Sequence, residues 1–178
     1  MSNARTLAST INSSSEIVVP SGGINFADIQ TAYSGATSEI LDGYEEGTFQ
    51  PIYDATASAP TVSSYGFQYG FYIKIGNLVH FNLALRANLT STGSGNAIIS
   101  GLPFNINSIV QSTMTFAVGY YENWTTYGPT IALGSIGTYQ IALFRDNGAS
   151  GTRITTSNYK TGGTTYNEVY IAGTYITN

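Results

Sequence analysis

From Gln68 to Arg86 apolar and other residues alternate. Tyr69, Phe71, Ile73 and Ile75 precede a Gly76-Asn77 break, and Val79, Phe81, Leu83 and Leu85 follow it. A period of two on both sides of a turn dipeptide predicts a β-hairpin with one apolar face. Its register follows from parity. A two-residue loop pairs Ile75 with Leu78 and Ile73 with His80, which splits the apolar sets between faces. An odd-numbered loop keeps Phe71 and Ile73 beside Val79, Phe81 and Leu83. The pattern therefore predicts a three-residue or bulged turn, with positive φ at Gly76 or Asn77.

Similar strands recur. Thr48 to Tyr53 reads as a first strand, followed by a loop from Ala55 to Ser64, and Ala97 to Ser100 as a short strand ended by Gly101-Leu102-Pro103. Thr113 to Tyr121 places Met114, Phe116, Val118 and Tyr120 on one side and Thr113, Thr115 and Ala117 on the other. Strands are expected at Thr130 to Leu133 and Thr138 to Arg145, then a glycine-rich excursion from Asp146 to Gly163, then a last strand over Asn167 to Thr177. That strand is apolar on both faces: Val169, Ile171 and Tyr175 oppose Tyr170, Ala172 and Ile176. The second face is expected to be covered by a neighbouring chain. Turn signals about every eight to twelve residues predict an all-β fold, an antiparallel β-sandwich of jelly-roll type, over residues 44–178.

Residues 1–43 differ. A short helix capped by Ser2 or Asn3 through Arg5, Leu7 and Ile11, an extended piece from Ile17 to Val19, and a helical turn or two over Asn25 to Tyr33 are separated by serines and glycines. So few interrupted apolar residues cannot form a core of their own. This segment is expected to be a mostly irregular attachment and oligomerisation arm, ordered on copies of itself or on a neighbouring protein.

Composition narrows the function classes. Charged residues make up 9% of the 178, with a net charge of −4, so solubility comes from hydroxyls and amides. Six Lys and Arg spread along the chain supply no basic stripe for nucleic acid. Acidic residues concentrate before position 55, where only Arg5 opposes them; the remainder is slightly basic. No cysteine is present, so disulfides and thiolate sites are excluded. No run reaches the ~18 apolar residues of a membrane span, and the N-terminus lacks a secretory pattern, so a protein made and kept soluble in the cytoplasm until something else carries it out is expected.

The chemistry-bearing residues do not assemble into a catalytic constellation. His80 is the single histidine and alternates with Asn82 away from the apolar set. Glu45 and Glu46 are adjacent, and neighbours in an extended chain point to opposite sides, so they cannot flank one glycosidic bond. Asp146-Asn147-Gly148 resembles the start of a calcium loop without its later acidic ligands, and reads as a plain turn. No catalytic residue, metal ligand or cofactor is expected. The stretch most suited to a ligand runs from Tyr120 to Tyr127. There Tyr120, Tyr121, Trp124 and Tyr127 offer flat aromatic faces beside Asn123, the combination that sugar rings need. The loop from Tyr159 to Tyr166 is a second, weaker candidate.

Four separated stretches then carry a resemblance. Tyr44-Glu45-Glu46-Gly47-Thr48-Phe49-Gln50-Pro51 resembles the YEEGTWTP opening of a domain found at the C-termini of bacteriophage tail-fibre and related virion proteins. Gly70 to Gly76 is similar to its GxYxKxG hairpin, Ile99 to Phe104 to its IxGLPF turn, and Gly173-Thr174-Tyr175 to its closing GTY. Phe49 stands where Trp is usual. The resemblance covers residues 44–178. It implies a trimeric β-sandwich on an exposed phage structure, with no known catalytic residues; residues 1–43 lie outside it. Taken with the aromatic stretch and the arm, the expectation is a non-enzymatic tail fibre or similar appendage that contacts host glycans, with residues 1–43 docking on other virion proteins. A capsid decoration or head-fibre role and, from another class, a polysaccharide depolymerase are the alternatives.

Overall fold

The structure is a computed structural model that describes residues 43–108, 114–148, 150–162 and 165–177, with the backbone of 24–25 and 40–41. The chain divides into two units, Met1–Tyr44 and Glu45–Asn178. In the first, β1 (Ile24–Asn25) pairs antiparallel with β2 (Ile40–Leu41). Asn25 is thus a strand residue, not the start of the helical turn expected there. The expected helix near Arg5 and the extended piece at Ile17 to Val19 lie outside the described residues.

The second unit is the expected all-β antiparallel fold. Its strands are β3 (Glu45–Phe49), β4 (Ile52–Ala55), β5 (Thr61–Ile75), β6 (Leu78–Ser91), β7 (Ala97–Ser100), β8 (Thr115–Glu122), β9 (Ile131–Ser135), β10 (Gln140–Asp146), β11 (Gly151–Arg153) and β12 (Asn167–Ile176). They form one curled sheet in the order β3-β5-β6-β12-β8-β9-β10-β7-β4, with β11 added to β10. β8 carries the curl, pairing through Thr115 and Phe116 with β9 and through Ala117 to Glu122 with β12. The two halves enclose one core that includes Tyr53, Phe81, Leu85, Ile99, Ile141, Leu143, Ile171 and Tyr175.

The hairpin departs from the parity argument. Ile75 pairs with Leu78 and Ile73 with His80, so the loop is the two-residue Gly76-Asn77. Gly76 has φ +55, the positive value that a type II′ loop needs at its first position. The core takes Val79, Phe81, Leu83, Leu85, Ala87 and Leu89 from β6, and opposite them β5 buries only Gly70 and Tyr72, with Val62 half-buried against Leu89. Phe49 explains why that suffices. Its ring lies across Gly70, where a Cβ would come within 2.5 Å of it, and fills the place that parity assigned to Phe71. Gly47 does the same for Tyr72, whose hydroxyl would sit 2.8 Å from an added Cβ; Gly47 therefore clears space within the strand. Tyr69 and Phe71 are left on the outer face, 71% and 42% exposed.

Other boundaries move for related reasons. The expected first strand is two, β3 and β4, because Gln50-Pro51 carries the chain from one edge of the sheet to the other. β5 begins at Thr61, inside the expected loop. The glycine-rich excursion contains β11 and a 3-10 turn, Thr156–Asn158, which seat Ile154 and Tyr159 in the core. Between Tyr170 and Ile171 the β12–β8 register shifts, leaving Gly119 without a direct partner. This bulge flips Tyr120 from the side of Phe116 to the outer face.

Three buried phenols tie distant segments together. Tyr159 donates to Asp54 O at 3.0 Å, Tyr53 to Leu85 O at 3.4 Å, and Tyr175 to Phe104 O at 3.1 Å while accepting from Phe104 N at 3.3 Å. Burial pushes all three hydroxyls well above the ordinary tyrosine range. A folded-state pKa above the unfolded value means that the native state holds its protons more tightly. The stabilisation is therefore complete below the unfolded pKa of about 10 and is lost as pH rises beyond it. Urea titrations should give a steady unfolding free energy up to about pH 9 and a steep fall above about pH 10. A flat profile would contradict the buried assignments.

Gly173 gives a second check. An added Cβ would come 2.3 Å from the Phe116 ring, so Gly173→Ala should cost about 1–3 kcal/mol by overpacking, despite alanine's lower chain entropy. In a Phe116→Leu background the penalty should shrink, which a double-mutant cycle by chemical denaturation would read.

Candidate functional site

The loop from Asn123 to Thr130, between β8 and β9, is rigidly placed. Thr125 N donates to Asn158 O at 2.8 Å, Thr125 Oγ1 to Tyr159 O at 3.2 Å and Tyr127 N to Asn158 Oδ1 at 3.2 Å, clamping the loop onto the 3-10 turn. Asn123 takes φ 62, a left-handed conformation that asparagine tolerates better than most residues. Tyr121 lies across Gly128, where a Cβ would meet its ring at 2.0 Å.

These constraints shape a cavity of about 490 Å³ lined by Tyr121, Glu122, Asn123, Trp124, Tyr127 and Arg145, among others. The Arg145 guanidinium stacks 3.6 Å from the centre of the Tyr127 ring, and Asp146 adds a carboxylate at the rim. Aromatic faces, an amide, a carboxylate and a guanidinium converge on one opening. Such a lining can stack on a sugar ring and accept from or donate to its hydroxyls.

Four of the five expected residues, Tyr121, Asn123, Trp124 and Tyr127, thus share one cavity. Tyr120 does not. The bulge turns it outward, where its ring lies 5.5 Å from that of Tyr170 and its hydroxyl donates to Glu122 Oε2 at 2.9 Å. That hydrogen bond to a carboxylate pushes the Tyr120 phenol up.

Trp124 has two duties. Its indole N–H donates to Glu168 O at 3.2 Å, and its ring packs edge-on to Tyr53 at 6.0 Å and at a tilt to Tyr159 at 5.2 Å. Arg145 and Asp146 were missed. Strand pairing held the signal: Phe144 sits opposite Ile131, so the residues just after Phe144 must flank the loop that ends at Thr130.

Of the second candidate loop, residues 163–164 lie outside the described residues. Tyr159 is a core residue, and Tyr166 lies under the Arg86 guanidinium at 4.7 Å. Glu45 and Glu46 face opposite sides of β3, with Glu45 accepting from the Tyr72 hydroxyl at 2.6 Å. His80 is exposed, its Nδ1 3.2 Å from Thr174 Oγ1. Asp146 Oδ1 accepts from Gly148 N and Asn147 Oδ1 from Ser150 N, both at 2.8 Å, so these side chains are engaged by their own backbone. Among the described residues no three His, Cys, Asp or Glu side chains group as metal ligands.

Fold and cavity together define an all-β domain that carries an aromatic, polar pocket on a clamped loop. No protein-family model matches the chain, and no curated protein sequence is similar to it. Among solved structures its fold is similar to that of the Dettilon tailspike protein, with a TM-score of 0.59 and 22% identity. The match covers 76% of this chain and 24% of the tailspike, so the chain spans about a quarter of that protein's length.

Trp124→Ala should destabilise the fold by roughly 2–4 kcal/mol, since a large ring leaves a packed site. Tyr127→Ala should cost about 1 kcal/mol or less, because that ring rests on Arg145 at the surface. Melting curves of the two variants separate the structural aromatic from the presented one.

Proposed function

We propose that this chain is a non-enzymatic domain of a bacteriophage tail appendage, which binds a host-surface glycan in the Asn123 to Thr130 loop cavity. It works as a homotrimer on the virion, with residues 1–43 as the arm that docks on other virion proteins. The observation that carries the reading is the cavity itself. Tyr121, Trp124 and Tyr127 surround amide and charged groups on a loop held by three hydrogen bonds, so little ordering entropy is lost when a saccharide docks. The tailspike-like fold and the four motif stretches support the setting. Binding without cleavage agrees with the split of Glu45 and Glu46 between faces.

Host-cell adsorption of the purified protein tests this. Tyr127→Ala and Arg145→Met should each weaken adsorption about tenfold or more, the ~1.4 kcal/mol of one lost stacking contact, with melting temperatures close to the parent. No reducing sugar should appear when host polysaccharide is incubated with the protein. Unchanged adsorption in both variants would remove the cavity from the reading. Sugar release would replace binding with depolymerisation, and capture by empty capsids without adsorption to cells would favour a decoration role.

A further inference from the structure

The outer face of the half-sheet β3-β5-β6-β12-β8 is organised in rows that run across the strands. One row is Tyr120, Tyr170, Ala84 and Tyr69; the next is Ala117, Ala172, Asn82, Phe71 and Thr48. Neither contains a charge. Charged and titratable side chains stand on either side of them: Glu122, Glu168 and Arg86 in one flanking row, Glu46 and His80 in the other. Glu168 is held by Arg86 Nε at 3.5 Å and by the Tyr170 hydroxyl at 2.9 Å.

The small residues sink the middle of this face into a groove of about 610 Å³, floored by Ala84, Ala117, Gly119 and Ala172. Beside the groove stands a projection. Tyr69 is 71% exposed, and its ring stacks on Phe67 at 6.3 Å with 6° between planes. Phe67 in turn lies 5.9 Å from Tyr170.

The two large hydrophobics Ile75 and Leu78 are also exposed, at the hairpin tip. Within the central rows Tyr69, Phe71, Tyr120 and Tyr170 leave on the order of 400 Å² of side chain in water, taking ~150–250 Å² as the full surface of an aromatic residue, and the hairpin tip adds to this beyond the row of Glu46 and His80. A lone domain rarely leaves more than a few hundred Å² in one patch, and a specific interface buries about 800 Å² per partner.

We propose that this face is where a second copy of the chain docks, the Tyr69–Phe67 stack of one copy entering the alanine-floored groove of the next. The argument deepens the self-association in the proposed function and rests on that part of it alone. An uncharged centre with a charged rim is the anatomy of a protein interface. Knob and hole stand side by side at different places on the face, so the contact is head to tail, the knob of each copy in the hole of the next, and closes into a ring of three if the rotation between copies is about 120°. The groove's lining carries no charged side chain; its polar side chains besides the tyrosines are Thr48, Gln50, Gln68 and Asn82, set around Ala84, Ala117, Gly119 and Ala172.

Light scattering and sedimentation of the full chain, with melting temperatures, test the assignment. The wild type should be trimeric. Ala117→Glu, which adds a charge at an exposed floor position, and Phe71→Ser, which only removes apolar surface, should each weaken self-association at least tenfold while the parent melting temperature of the isolated fold is kept. A trimer that survives both substitutions would overturn the face and leave the trimer and the glycan cavity standing. A monomeric wild type destabilised by Ala117→Glu would mean that the face is covered within its own chain, which overturns the proposal. So would a monomer whose tyrosine fluorescence responds to host polysaccharide and loses that response in Phe71→Ser.

Discussion

Three glycines set the geometry of this sheet. At Gly47, Gly70 and Gly173 the absence of a Cβ lets the rings of Tyr72, Phe49 and Phe116 lie flat across a neighbouring strand, a covering of glycine by an aromatic ring that also pins strand register. Any slip of one residue would drive these rings into a side chain and turn the β6 row from Val79 to Leu89 toward water. The stretches that resemble tail-fibre domains are mostly these positions and their supports. Tyr175 caps the Phe104 turn through both of its backbone groups, and Phe104 packs edge-on against Tyr72 at 5.2 Å. The motifs therefore carry the framework, while Thr48 and Phe71 within them also line the outer face.

The surfaces offered to other molecules differ in kind because they are held differently. The loop cavity mixes charge, amide and aromatic faces and is clamped by hydrogen bonds to a turn whose next residue, Tyr159, is buried between the two halves. The outer sheet face is nearly pure hydrocarbon and hydroxyl in its central rows. A polar, concave and rigid cavity suits a small hydroxylated ligand, while a broad uncharged face suits another protein. Trp124 connects the two regions: its ring borders the cavity, and its indole N–H reaches the backbone of Glu168, whose side chain belongs to the outer face.

Much of the fold was legible from alternation alone. β7, β10 and β12 lie within a residue or two of where periodicity places them, because their inward sides are continuously apolar: Ile141 and Leu143, or Val169, Ile171 and Tyr175. Parity failed at the hairpin, since it counts apolar residues on one strand pair and assumes that all of them are buried. It cannot see Phe49, which arrives from another strand and fills the space above Gly70. Tyr120 was misplaced for a local reason, a bulge at a glycine that has open space where a Cβ would be. Four cavity residues were recoverable because they are neighbours in sequence. Arg145 and Asp146 were not, because only the pairing of β9 with β10 brings them there.

The sheet path has one more property. β6 and β8 do not touch each other in the hydrogen-bond order; β12 lies between them. During vectorial synthesis the long hairpin and the β9–β10 pair can each form as they leave the ribosome, but before residues 167–176 have been made only isolated bridges among the described residues, such as Leu89 with Thr161, join the two halves. The continuous ladder is therefore completed only after translation of β12, and a message cut short before that point yields two half-sheets held by single bridges.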